Sequence, residues 1–238
     1  MGYAGQPMDP DLLSRFEEIA DECERDLRPS WVHVVFDRDE VSACPCLDSP
    51  EAGQGVEGDR VRPTAGEPSV GLVGTSLVLP GADIADHVRG ACKVALMACT
   101  LGIASERALR IHAAVSPTDA LLYDAAASAL VEAAANEAEN AIVAQATAEG
   151  LHAGSRFSPG YGDFPLSVQP AFLAAVDAAR RIGLTATESF MLVPSKSVTA
   201  VVGLFERPRL TKSSNAECGS CRLRDHCHLV KKGGTCHG

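Results

Sequence analysis

The sequence predicts an α+β domain followed by a small cysteine-rich tail. Three observations carry that expectation. Short apolar runs of strand length recur along the chain. Between them lie segments with apolar residues at helical spacing, the longest running over about 119–149. The last stretch, 206–238, departs from everything before it in charge and in cysteine content.

Taken in order, Asp9 and Pro10 read as the N-cap and first residue of a helix, because Pro10 lacks the N–H that a first helical turn leaves unpaired. Leu12, Leu13, Phe16, Ile19 and Ala20 then recur at helical spacing until Arg28 and Pro29 end the run. Residues 31–36 (WVHVVF) read as a short strand. Residues 45–68 hold eight Pro or Gly and read as a long irregular loop. The stretch 70–79 is β-like but interrupted by Gly71 and Gly74, and 82–89 reads as a short helix. The apolar run 91–100 has strand length, and Leu101-Gly102 turns the chain into a helix near 103–113. Ser116-Pro117-Thr118-Asp119 is a strong helix start. The long helix that follows carries Leu121, Leu122, Ala125, Ala129, Leu130, Ala133 and Ala134 on one small-residue face, which permits close packing on a neighbour. Residues 150–169 read as Gly/Pro-rich loop, and 170–182 as an amphipathic helix stopped by Gly183. Residues 191–193 and 198–205 read as the two strands of a hairpin joined through 194–197.

Of the 238 residues, 46% are hydrophobic and 22% charged, ordinary values for a folded domain and too apolar for a wholly disordered chain. The net charge of −10 disfavours a general nucleic-acid binder, which needs a basic face for phosphates. Residues 206–238 hold seven Lys or Arg against three acids, so the tail is +4 and the remainder −14. A basic, cysteine-bearing tail on an acidic body reads as a separate module, which divides the chain at 1–205 and 206–238. No run of 18 apolar residues exists to span a membrane, and the first residues lack a basic-then-apolar leader. The expected location is therefore the cytoplasm, where the nine cysteines are reduced, metal-bound or buried rather than disulfide-paired.

The segment RFSPGYGDFPL, residues 156–166, lies between the long helix and the next one. Pro159 and Pro165 fix φ, while Gly160 and Gly162 allow backbone shapes closed to other residues and let a flat ligand reach the main chain. Arg156 offers a planar fork suited to a carboxylate, and Tyr161 an aromatic face with a hydroxyl. The residues suit a small ligand with an aromatic ring and a carboxylate. They equally suit a plain surface turn with one exposed arginine.

Arg156, Gly160, Tyr161 and Pro165 stand as in the Arg-x-x-x-Gly-Tyr signature, and following Pro turn, of the activation domain of cobalamin-dependent methionine synthase, which the segment resembles. Downstream, Thr187-Glu188-Ser189-Phe190-Met191, then Pro194 and Ser197-Val198-Thr199, resembles that family's Thr-Glu-Ser, Met-x-x-Pro and Ser-Val-Ser strand pair. Upstream, Leu130-Val131-Glu132-Ala133 resembles a Leu-Ala-Glu-Ala stretch on its long helix. The resemblance spans about 90–205, and the spellings SPGYGDFPL and PSKSVTA resemble a stand-alone branch rather than the domain fused to the synthase. It implies a bent antiparallel sheet with flanking helices, one of them long, and a shallow groove for S-adenosylmethionine. It further implies that the chain reactivates a cobalamin-dependent methyltransferase by reductive methylation of cob(II)alamin on a partner corrinoid protein, with an electron donor, and that no nucleic acid or membrane is involved. Carried over to these positions, Arg156 holds the methionine carboxylate, Glu132 faces the ammonium group, and Ser158, Pro159, Gly160 and Tyr161 line the adenosine. Glu132 is equally readable as a solvated helix acid. One departure stands out: Arg207-Pro208-Arg209 occupies the place of a further aromatic contact in the family.

In the tail, Cys218, Cys221, Cys227 and Cys236 are interleaved with His226, His228 and His237. Thiolates so closely spaced in polar chain can close on one metal or cluster. A [4Fe–4S] cluster, a structural zinc and a free redox tail all stay open. A cluster raises the alternative that the chain is an iron–sulfur electron-transfer or docking module for a corrinoid protein, without methyl transfer. Cys44 and Cys46 read as spectators in the long loop, and Cys92 and Cys99 as core. His33, His87, His112 and His152 read as surface or packing residues, and Ser195-Lys196-Ser197 as a structural turn without triad partners. Residues 1–90 read as a helix, a strand and a long loop that complete the fold.

Overall fold

A computed structural model describes residues 9–39 and 68–208. Helix α1 (Pro10–Asp26) starts as expected, with the Asp9 carboxylate accepting from the N–H groups of Asp11 and Leu12. Strand β1 (Ser30–Asp39) follows, longer than the apolar run suggests. Strands β2 (Ser69–Leu72) and β3 (Val78–Pro80) form a hairpin that turns through Gly74. Helix α2 (Ala82–His87), strand β4 (Lys93–Thr100) and helix α3 (Ile103–Val115) come next. Helix α4 (Pro117–Ala148) has 32 residues, about 48 Å at 1.5 Å per residue. Its N-cap is Ser116, whose hydroxyl accepts from Asp119 N. Strand β5 (His152–Phe157), a 3₁₀ turn (Leu166–Val168), helices α5 (Gln169–Ala175) and α6 (Ala178–Ile182), and strands β6 (Thr185–Ala186), β7 (Leu192–Val193) and β8 (Ser197–Phe205) complete the described chain.

Six strands form one curled antiparallel sheet in the order β3-β2-β1-β4-β8-β5. β4 lies near its centre, paired with β1 on one side and β8 on the other. Alternate residues of a strand point to opposite faces. Val94, Leu96 and Ala98 enter a core shared with α2, α5, α6 and Phe164. Ala95, Met97 and Cys99 enter a second core with Ala134, Ala135, Ala138, Ile142 and Ala146 of α4. Burial on both faces explains why 94–99 is continuously apolar rather than alternating. A third cluster ties α1 to α4 through Ile19, Cys23, Leu27, Tyr123 and Ala127.

Four expectations need correction. Residues 150–169 are not wholly loop, because 152–157 form β5 on the edge of the sheet. Its Gly and Ser content hides the strand, and the pairing register slips between Ala153 and Arg156. The amphipathic stretch 170–182 breaks in two at Asp177, which sits at φ 55. Aspartate tolerates that left-handed conformation, and here its carboxylate accepts from Arg180 Nε at 2.7 Å. Gly183 ends α6 at φ 68 as expected. The third correction is the hairpin: β7 pairs with β6, while β8 runs between β4 and β5. The 194–197 connector is pinned elsewhere, by Ser195 N donating to Glu106 and Leu101 N donating to the Lys196 carbonyl. Residues 45–67 of the long loop, with Cys46 and the neighbouring Cys44, and the four tail cysteines lie outside the described residues. Among the described residues no helix is long and apolar enough to cross a membrane.

A fourth correction concerns the face that α4 buries: Leu121, Ala125, Ala129 and Ala133 are exposed, only Ala134 of the expected face is buried, and Ala135, Ala138, Ile142 and Ala146 join it against β4 and β8. Ala138 is fully buried there. Enlarging it to leucine is expected to destabilise the fold by about 1–3 kcal/mol through overpacking. Leu121, which is exposed on the same helix, should accept alanine within about 0.5 kcal/mol. Urea unfolding of the two variants beside the parent checks both values.

Candidate functional site

The register slip in β5 decides where Arg156 points. Gly154 lies against the Phe205 ring, and a Cβ there would come within 3.0 Å of it. Gly203 lies under the same ring, where a Cβ would meet it at 2.9 Å. The ring therefore packs down on two glycines beside the bulge, a feature that re-aims the side chain that follows it. Arg156 reaches out to α4.

There it meets three side chains of one helix face. Arg156 Nε lies 3.1 Å from Glu139 Oε2, and Arg156 Nη2 donates to Asn136 Oδ1 at 2.9 Å. Arg156 Nη1 stands 3.6 Å from Glu132 Oε2, beyond hydrogen-bonding distance. Positions 132, 136 and 139 recur every three to four residues, which places them in one row along α4. Glu132 is 60% exposed, whereas Arg156 and Glu139 are each 25% exposed. Beneath them Cys99 is buried, and burial pushes its thiol up to about 12, against a smaller downward pull from Arg156. It is a protonated part of the floor at neutral pH, with no nucleophilic character.

The loop that follows β5 is tightly folded on itself and tied to α2. Tyr161 N donates to the Ser158 carbonyl, Phe164 N to the Tyr161 carbonyl, and Gly160 N to the Phe164 carbonyl at 2.7 Å. Gly160 takes φ 96 and Gly162 φ 54, which makes this tight path costly for other residues. Pro159 and Phe164 are buried and anchor it. Asp163 locks the loop to α2: its carboxylate accepts from Ala82 N at 2.6 Å and Asp83 N at 2.9 Å, and Asp83 Oδ2 accepts from Asp163 N in return. Tyr161 is left 59% exposed, edge-on to Phe157 at 5.8 Å. Phe157 leans on His87, whose Nε2 donates to the Ser155 carbonyl.

Further along α4, Lys196 Nζ lies 2.8 Å from both Asp124 Oδ1 and Ser128 Oγ and is 16% exposed. The polar row on α4 thus runs from Asp124 through Ser128, Glu132 and Asn136 to Glu139. Two cations from the strand side meet it, Lys196 at one end and Arg156 at the other.

Among solved structures, the chain is similar to a crystal structure of the MetH reactivation domain bound to AdoHcy, with a TM-score of 0.58. The fold is that of the MetH reactivation domain. The similarity covers 94% of this chain and 73% of that one, at 15% sequence identity. No family model matches the sequence, and no curated protein matches it.

On the reactivation-domain fold, Glu132 and Arg156 face each other, and Ser158, Pro159, Gly160 and Tyr161 follow directly on β5. Thr187, Ser189 and Met191 lie in the β6–β7 connection, where Thr187 Oγ1 accepts from Met191 N. Ser195, Lys196 and Ser197 are tied into the fold as expected of a structural turn, Ser197 donating to the Pro194 carbonyl. His33 meets Gln145 and His112 meets Glu22, contacts of packing residues. Among the described residues no group of three or more His, Cys, Asp or Glu is arranged to hold a metal. Sequence reasoning passed over Asn136, Glu139 and the Asp83–Asp163 clasp. For the first two a signal existed: they stand four and seven residues after Glu132, as polar breaks in an alanine-rich helix.

The clasp depends on Gly162, where a Cβ would sit 1.9 Å from Asp83 Oδ2. Gly162→Ala should cost about 1–2 kcal/mol for the left-handed backbone and more for displacing Asp83. Gly150→Ala serves as the comparison, since it has φ 72 but open space around a Cβ. Denaturant titration is expected to show Gly162→Ala losing at least about 1 kcal/mol more than Gly150→Ala, the worth of a lost cap.

Proposed function

We propose that the groove between α4 and the 158–165 loop binds S-adenosylmethionine, and that the protein thereby serves the reactivation of a cobalamin-dependent methyltransferase. The observation that carries this reading is the open contact between Arg156 Nη1 and Glu132 Oε2, beside an exposed Tyr161, on a fold shared with a domain solved with AdoHcy. An α-amino acid end is a zwitterion. Its carboxylate would take the Arg156 fork and its ammonium the Glu132 carboxylate, so each protein charge exchanges one partner for another. The residues present fit such a ligand. The 3.6 Å gap leaves hydrogen-bonding capacity at Nη1 unused, and the exposed face of Gly160 has no side chain to keep a flat base from the backbone.

When bound, S-adenosylmethionine supplies a methyl group to a corrinoid held by a partner protein. The chain's own residues bind and orient. Arg156 and Glu132 fix the amino-acid end, and the clasped loop with Ser158, Pro159, Gly160 and Tyr161 forms the wall for the adenosine. Holding the reactants in line is a large part of the work in such a transfer. We further propose a cytoplasmic protein made of a groove-bearing domain, 1–205, and a metal-binding tail, 206–238. In the tail Cys218, Cys221, Cys227 and Cys236 would hold a [4Fe–4S] cluster or zinc.

Isothermal titration of the full chain with S-adenosylmethionine tests the groove. The parent should bind, and Arg156→Ala and Glu132→Ala should each weaken binding roughly 10- to 100-fold, the worth of a charge-assisted hydrogen bond. Absence of binding by the parent at high micromolar ligand would end the reading. Anaerobic purification followed by iron, sulfide and zinc analysis decides the tail separately.

A further inference from the structure

The guanidinium of Arg156 has two edges able to grip a carboxylate: the side edge formed by Nε and Nη2, and the terminal edge formed by Nη1 and Nη2. The side edge is filled from within the protein. Glu139 Oε2 faces Nε at 3.1 Å, and Asn136 Oδ1 accepts from Nη2 at 2.9 Å. These two residues are one helical turn apart on α4, a separation that spans the edge. The terminal edge has no close partner on the Nη1 side, where Glu132 Oε2 stands at 3.6 Å. Three acceptors meet Arg156, and they do unequal things. Two hold it from behind, while the third, the most exposed, stands beside the edge that remains.

We propose that Glu139 and Asn136 are positioning residues, which turn Arg156 so that only its terminal edge, next to Glu132, is offered to a ligand. The inference deepens the S-adenosylmethionine reading of the groove and rests on it. A free arginine side chain takes many orientations and can receive a carboxylate on either edge. Clamped, it receives one end-on, within reach of the acid that takes the ammonium. The site then selects a ligand with the two groups on one carbon. A bare carboxylate has no cation for Glu132, and an amine without a carboxylate leaves the terminal edge empty. Glu139 also balances the arginine charge, so Arg156 needs no ligand to compensate it.

The experiment compares S-adenosylmethionine with its decarboxylated analogue, which keeps the adenosine, sulfonium and ammonium and lacks only the carboxylate. Full-length parent, Glu139→Ala, Glu139→Gln and Asn136→Ala proteins are titrated with both, after thermal melts establish that each is folded. The parent should prefer S-adenosylmethionine by about tenfold or more, the worth of a charge-assisted hydrogen bond. In Glu139→Ala that preference should collapse towards unity, with affinity for the decarboxylated analogue within about twofold of the parent's. Glu139→Gln, which keeps an acceptor for Nε, should recover part of the preference, and Asn136→Ala should lose part of it. A purely structural role would weaken both ligands alike, and that result overturns the inference. So does an unchanged or increased preference in Glu139→Ala, which would mean that the side edge was available all along. If the parent binds neither ligand, the reading of the groove falls as well. If the parent binds and discriminates while Glu139→Ala does the same, only the positioning role falls.

Discussion

The close seat of α4 on the sheet is the contact on which the candidate groove depends. Ala134, Ala135, Ala138 and Ala146 meet Ala95, Ala200 and Val202 with almost no side-chain thickness between helix and strands. Larger residues at these positions would hold the helix further out. The polar row Asp124–Glu139 lies along the flank of the same helix, so its reach is set by the depth of the alanine face. Arg156 spans to α4 from β5 and Lys196 from the start of β8, and both make contacts of 2.8–3.1 Å. An arginine or lysine can bridge only a short, fixed gap with such contacts. The packing of small apolar residues therefore determines the electrostatics one strip over.

The two walls of the proposed groove are fixed by unrelated means. The α4 wall is held by burial against the sheet. The loop wall is held from its outer side, by Phe164 in the core and by the exchange of caps between Asp83 and Asp163. On the proposed reading, ligand entry would exchange the loose Arg156–Glu132 contact for contacts to the ligand, while the firmer contacts of Arg156 to Glu139 and Asn136 stay in place.

How much of this could be read from the amino-acid sequence depended on the range of the interaction concerned. The start of α4 was legible because Ser116, Pro117 and Asp119 act within one turn. The buried course of β4 was legible because residues 94–99 are apolar on both faces. Strand β5 was not, because its residues are poor strand formers and it is held by Phe205 and β8, fifty residues away in the chain. The break at Asp177 was missed because apolar spacing continues smoothly through it, while the left-handed residue that interrupts the helix leaves no periodic mark. The 191–205 hairpin was a natural reading of two apolar runs around a proline turn. It failed because the connector is captured by Glu106 and Leu101, which no local pattern reveals. At the groove, the prominent residues Arg156, Gly160 and Tyr161 stood out by type and spacing. Glu139 and Asn136 did not, since their meaning comes from an arginine on another element.

The charge pattern of the groove also bears on which ligands it admits. Counted along the row, Asp124, Glu132 and Glu139 face Lys196 and Arg156, so acids outnumber cations. A phosphate or a dicarboxylate entering beside Arg156 would compete with Glu139 for the same guanidinium and lie close to Glu132, with no positive charge left over to receive it. A zwitterion escapes that conflict because it brings its own cation for Glu132. A ligand with one further positive charge is better placed still, since the row holds one acid more than it needs. Exposure of Glu132 and Asp124 to water weakens this preference without reversing its sign. Arg156 with its acidic neighbours is thus a poor match for a bare anion and a better one for a carboxylate that carries positive charge beside it, which is the charge pattern of the proposed ligand, S-adenosylmethionine, at its ammonium and its sulfonium.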